Sequence, residues 1–264
     1  MIGEATRSIE RPAIASTVVV AVFTVSIFVG AFLLFLVEPM VGKMVLPTVG
    51  GTPAVWTTSV LFFQCVLLAG YGYTHWLAMR LTWRVQAAVH GIVLLLPLAF
   101  LPIHLFTGLT PPTSGSPIPY LVLLLAAMTG LPFFVVATTS PLVQHLFSRT
   151  DHPDAADPYF LYRASNLGSA TALLSYPALI EPHLGLRAQS QLWAAAYVCF
   201  VLLVVLCLAL VTWNRRSAAA TPRATVITRT TSTVTWRRRL RWIVLAAIPS
   251  TWMLAVTSYF TTVI

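Results

Sequence analysis

The sequence predicts an all-α protein, a polytopic transmembrane helical bundle with about seven spans. Three observations lead there. Only 9% of the 264 residues are charged while 58% are hydrophobic, and a globular surface needs about 25% charged residues. Uncharged stretches of membrane-crossing length separate those few charges. The basic residues, finally, cluster in alternate loops. The same composition excludes an ordinary soluble enzyme, a disordered tail and a nucleic-acid-binding domain. The net charge of +9 is local, because eight of the sixteen basic residues lie between Arg215 and Arg241. Cys65, Cys199 and Cys207 are odd in number and set in apolar runs, which excludes a disulfide scaffold.

A helix crosses the hydrocarbon core with about 20 residues. The run between Arg11 and Glu38 gives a first span at 14–37. Its apolar core is too long for a signal peptide, and Val37-Glu38-Pro39 is no small-residue cleavage site. The run between Lys43 and Arg80 gives a second at 55–77. The run between Arg84 and Arg149 is 64 residues long and is broken by the turn-forming segment from Pro111 to Pro117. It holds a third span at 86–106 and a fourth at 119–142. The fifth, 161–181, is the weakest. It carries Asn166, Gly168, Ser169, Thr171, Ser175 and Pro177, which suit a helix packed within a bundle. The sixth is 190–212 and the seventh 242–263. Between them, residues 214–241 read as a flexible Arg/Thr/Ala-rich cytoplasmic linker, which joins a six-helix unit (14–213) to the last helix.

Orientation follows from Lys and Arg. With residues 1–13 in the cytoplasm, the inner segments hold Arg7 and Arg11, Arg80 and Arg84, Arg149 and Arg163, and the eight arginines from Arg215 to Arg241. The outer loops hold only Lys43 and Arg187. This reads as a multi-pass membrane protein with a cytoplasmic N-terminus. The arginine-rich linker fixes topology and is also suited to anionic lipid headgroups.

Few polar residues fall in the spans. Glu38 closes the first, either as a cation or proton site or as a helix-end carboxylate paired with Lys43. Gln64 and Asn166 either pack between helices or line a polar path. The histidines form no metal-ligand spacing, and their positions suit the membrane interface. No metal and no cofactor are expected. Gly50-Gly51-Thr52-Pro53 reads as a turn before a helix, and Asp157 before Pro158 as a helix cap.

Several strings are specific in combination. They are Phe32-Leu33-Leu34-Phe35-Leu36-Val37-Glu38-Pro39-Met40, Lys43-Met44-Val45-Leu46-Pro47 and Gly50-Gly51-Thr52-Pro53-Ala54-Val55-Trp56. Asp157-Pro158-Tyr159-Phe160-Leu161-Tyr162-Arg163-Ala164-Ser165-Asn166-Leu167-Gly168-Ser169 and Tyr176-Pro177-Ala178-Leu179-Ile180-Glu181-Pro182 follow. Together they resemble the N-terminal membrane region of bacterial membrane-embedded spermidine-synthase-like proteins, over about residues 28–262. That family joins a multi-helix membrane part, related to the major facilitator superfamily, to a cytosolic aminopropyltransferase-like domain. The resemblance implies a facilitator-like six-helix unit, and it suggests that the chain is an N-terminal portion, natural or truncated. These residues include no Gly-rich cofactor loop and no catalytic Asp, so no aminopropyltransferase activity is expected. Three functions stay open. One is a transport module for polyamines or another small cation, with Glu38, Gln64, Tyr162, Arg163 and Asn166 as candidate residues. The second is a membrane anchor for a synthase-domain partner. The third is a permease subunit of a larger transporter.

The topology is directly testable. A cysteine introduced at Ala219 should resist a membrane-impermeant thiol reagent in intact cells, and one at Ser114 should react. The reverse pattern would overturn the orientation.

Overall fold

The structure, a computed structural model, describes residues 13–105, 108, 115–148, 152–218 and 235–263. Among these residues every regular element is helical. The chain divides into two units, 1–220 and 221–264. Within the described residues, five helical runs are long and apolar enough to cross a membrane: 17–49, 53–80, 83–100, 118–147 and 186–211. Of the predicted spans, the fifth and the seventh fall in helices that are not among those five.

The first unit begins with α1 (Ala13–Val49), which is longer than predicted. Glu38-Pro39 was read as the end of the span, yet the helix continues through Pro39 to Val49. A helix-interior proline loses one hydrogen bond and costs about 3 kcal/mol or more in isolation. Packing on several sides offsets that here, since Leu36, Val37, Met40 and Val41 are all fully buried.

A tight turn then leads to α2 (Pro53–Arg80). Gly50 takes φ +76°, in the left-handed region open to glycine. The Thr52 hydroxyl accepts from the Val55 N–H, and Pro53 opens the helix where its missing N–H is not needed. This segment folds as the sequence predicts.

After Arg80 the chain turns at once into α3 (Trp83–Leu95). Pro97 cannot donate to the helix ladder, and the run lapses into a 3-10 segment, Leu96–Phe100. Next, α4 (Ile118–Leu125) continues through a π-helical segment, Ala126–Gly130, into α5 (Leu131–Phe147). In the same way α6 (Tyr159–Ser175) continues through a π segment, Tyr176–Ile180, into the single turn α7 (Glu181–His183). Each π segment lies beside a proline, Pro132 in one case and Pro177 and Pro182 in the other. The missing N–H groups explain the widened turns. The predicted Asp157 cap does not form: Pro158 is the residue that precedes α6, and Asp157 closes the 3-10 turn Pro153–Ala156 instead.

The last helix of the unit, α8 (Leu186–Ala218), presents one buried stripe: Ser190, Trp193, Tyr197, Phe200, Val204, Cys207 and Val211. This is the 3.6-residue period of a helix with one face packed. Three polar atoms on the stripe bind backbone carbonyls of its neighbours. Trp193 Nε1 donates to Leu33 O at 3.0 Å, Tyr197 Oη donates to Leu94 O at 2.9 Å, and Ser190 Oγ donates to Ile103 O. Cys207 is buried against Ser26 Oγ at 3.2 Å. Cys199 and Cys65 are exposed.

The α1 helix is the hub, packed against α5, α6 and α8. Its contact with α6 is the closest. On α6 the buried residues Leu161, Ala164, Gly168 and Ala172 form a stripe, and the last three are small and four apart. A Cβ on Gly168 would fall 2.3 Å from the Phe28 carbonyl oxygen and 3.2 Å from Ala31 Cβ. Small residues at this spacing let two backbones touch, and in lipid close packing of this kind replaces the hydrophobic drive. The fifth predicted span was read as packed within the bundle. Only the small-residue stripe is; Leu167, Leu173 and Leu174 on its other side are exposed.

The second unit contains α9 (Trp236–Val263), with Arg238 over the Trp242 ring at 5.5 Å. The sequence predicts a linker over 214–241. Both of its ends are helical, in keeping with the high helix propensity of Arg and Ala, and its middle, 219–234, lies outside the described residues.

The Gly168 contact predicts a sharp asymmetry. Gly168→Ala should lower the thermal stability of the purified protein by about 1–3 kcal/mol, the usual cost of overpacking. Gly91→Ala, where an added Cβ meets nothing within 4 Å, should leave stability unchanged or raise it. Equal behaviour of the two variants in a thermal melt would refute the contact.

Candidate functional site

An open cavity of about 500 Å³ lies between α1, α2, α5 and α6. Each helix contributes residues at helical spacing. Gly30, Ala31, Leu34 and Phe35 come from α1, and Leu67 and Tyr71 from α2. Ala137, Ser140, Pro141 and Gln144 line it from α5. Tyr162, Ser165, Asn166 and Ser169 come from α6. Because Ala164, Gly168 and Ala172 are pinned on α1, the residues about a quarter-turn away are held facing this space. The close α1–α6 contact thus sets which α6 side chains reach the cavity.

The cavity lining is polar but uncharged. Its walls carry hydroxyl and amide oxygens and two tyrosine rings, with no charged side chain of either sign. Pro141 adds another acceptor. It has no N–H to give the Ala137 carbonyl four residues back, so that oxygen lacks its usual helical donor at a cavity-lining residue. Ser169 Oγ donates to the Asn166 carbonyl at 3.0 Å, which commits its proton and leaves its lone pairs free. Such a surface is rich in acceptors and ring faces.

The sequence-derived candidates divide. Tyr162 and Asn166 line the cavity. Glu38 does not touch it but belongs to the same face of α1, four residues beyond Leu34 and three beyond Phe35. It is half-buried. Gln64 is exposed on α2 and Arg163 is exposed on α6, and neither is among the cavity residues. Of Gln64 and Asn166, each read as packing between helices or lining a polar path, Asn166 lines the cavity and Gln64 does not. Gln64 shares a face of α2 with Leu67 and Tyr71, three and seven residues on, and what separates it from the cavity is height along the helix, about 4.5 Å before Leu67.

Glu38 does not pair with Lys43. Five residues along a helix turn the second side chain by about 140° from the first. Lys43 instead donates to Glu181 Oε1, tying α1 to α7. Both side chains are more than one-third exposed (38% and 37%), so the pair contributes about 0–1 kcal/mol. Among the described residues no salt bridge involves Glu38.

Sequence reasoning missed Tyr71, Ser140, Gln144 and Ser165. A signal for part of this set was present, because Ser140-Pro141 and Gln144 are the polar interruption of an otherwise apolar helix. It also placed the histidines at the interface, whereas His90 is fully buried in the middle of α3. Among the described residues no three His, Cys, Asp or Glu side chains gather as a metal site.

Comparison of the chain with protein-family models, with curated proteins and with solved structures finds no match.

Proposed function

We propose that this protein is a multi-pass inner-membrane protein, and that its six-helix unit binds and passes a small organic cation of the polyamine class. The observation that carries the reading is the cavity between α1, α2, α5 and α6. Within a unit built from apolar helices it concentrates Ser140, Gln144, Ser165 and Asn166, with the Tyr71 and Tyr162 rings beside them. Polar groups at membrane depth are costly unless they meet a partner, and they mark substrate paths. Acceptor oxygens and ring faces both suit an ammonium group. The lack of Lys, Arg and His in the lining disfavours an anion.

Glu38 supplies the charge. It stands one turn beyond the cavity on α1, where an approaching cation passes before it reaches the neutral lining. In a medium of intermediate dielectric, such an attraction amounts to about 1–3 kcal/mol. Asn166 and Tyr162 then hold the amine, and Arg163, exposed near the start of α6, acts on topology rather than on the substrate.

Reconstituted vesicles test this. Wild-type protein should take up labelled putrescine. Glu38→Gln should reduce the rate about tenfold at normal membrane abundance, by loss of about 1.4 kcal/mol of attraction. Asn166→Leu should weaken saturation. Uptake that is absent from the wild type, or unchanged in both variants, would leave the chain as an anchor for a synthase-domain partner.

A further inference from the structure

Away from that cavity, on the other side of α2, lies a second group of polar atoms. His90 on α3 is fully buried, and its Nε2 lies 3.1 Å from Thr139 Oγ1 on α5. The same Thr139 hydroxyl is 2.6 Å from the Val135 carbonyl oxygen. A carbonyl only accepts, so the single hydroxyl proton of Thr139 is committed to Val135. Toward His90 the hydroxyl oxygen can then only accept. This fixes the neutral ring as the Nε2–H tautomer and leaves Nδ1 as a bare acceptor.

Among the described residues, His90 Nδ1 has no hydrogen-bond partner. Neither does Gln86 Oε1, one turn earlier on the same face of α3. The Gln86 amide nitrogen is occupied, donating to Leu81 O at 2.7 Å. Facing His90 from α2 is Tyr73, whose hydroxyl is also buried and, among the described residues, unpartnered. Its ring centroid is 6.2 Å from that of His90. The depths agree as well. Tyr73 is seven residues before the end of α2 and His90 seven after the start of α3, and the two helices are joined by a two-residue turn.

The count is two acceptors and one donor, all out of reach of lipid and bulk water. Buried polar atoms are rarely left unpaired, and a small polar molecule commonly completes them. A ligand with two donors and at least one lone pair closes this set. We propose that Tyr73, Gln86 and His90 form an internal binding site for one water molecule. The water donates one hydrogen to His90 Nδ1 and the other to Gln86 Oε1, and it accepts the Tyr73 hydroxyl proton. The site joins α2 to α3 and, through Thr139, to α5. It is independent of the cation cavity and of the function proposed for it.

Magnetic resonance on ¹⁵N-histidine-labelled protein in bilayers tests the site, with the His90 signal assigned by its loss in His90→Asn. The unmodified protein should show Nε2 protonated and Nδ1 unprotonated, with Nδ1 in contact with protons that exchange with water. Tyr73→Phe should keep that contact while shifting the Nδ1 resonance, and should lower the melting temperature by removing a donor to the water. A protonated Nδ1, or an Nδ1 with no contact to exchangeable protons, would overturn the proposal. So would a melting temperature that is unchanged or raised in Tyr73→Phe, because a dry hydroxyl is better removed.

Discussion

The rest of the first unit depends on the contact between the α6 backbone at Gly168 and the Phe28 carbonyl of α1. No side chain larger than hydrogen fits there: an added Cβ would sit 2.3 Å from the oxygen. The consequence is geometric. With α6 pressed on α1 along Ala164, Gly168 and Ala172, only one rotation of α6 is allowed. That rotation sends Tyr162, Ser165, Asn166 and Ser169 toward α2 and α5, and Leu167 and Leu174 away from them. The second close approach, Gly30 against the Phe200 ring of α8 at 2.9 Å from an added Cβ, seats α1 from the other side. A helix enclosed in this way tolerates Pro39, because its neighbours carry the packing that the lost hydrogen bond would have supplied.

Much of the architecture is readable from charge spacing alone. The runs free of Asp, Glu, Lys and Arg fall largely within helices, although α1 continues through Glu38 and Lys43, and α6, α8 and α9 each include arginine. Helix ends are less readable, for particular reasons. Glu38-Pro39 looks like a boundary because a carboxylate and a proline each disfavour a spanning helix, and only the burial of Val37, Met40 and Val41 reverses that judgement. Asp157 looks like a cap because the local pattern permits it, but the 3-10 turn claims the residue first. Residues 214–218 and 236–241 look like linker because they lack apolar periodicity, yet Ala and Arg sustain helix without it.

The site is less legible than the fold. Asn166 and Tyr162 could be singled out because a polar residue in an apolar span calls for a partner. Their actual neighbours, Tyr71 from α2 and Ser140 and Gln144 from α5, are brought near by tertiary packing over long sequence separations, and no local pattern encodes it. Gln64 shows the converse. It shares a face of α2 with the lining residues Leu67 and Tyr71 and differs in its height along the helix, about one to two turns before them. His90 was misplaced because a histidine in an apolar helix resembles an interfacial one until Thr139, some fifty residues later, is seen to accept its proton.

The account's central claim is that one face of α6 lines a polar, water-accessible cavity while another meets lipid. Single cysteines at Ser165 and at Leu174, in a chain whose Cys65, Cys199 and Cys207 are replaced by alanine, test it most directly. Leu174 is 72% exposed in the isolated structure, so burial within the protein cannot protect it. In vesicles accessible from the cytoplasmic side, a charged thiol reagent should modify the cysteine at 165 and leave that at 174 unmodified. Equal modification of both, or modification at 174 alone, would contradict the arrangement of α6 on which the cavity rests.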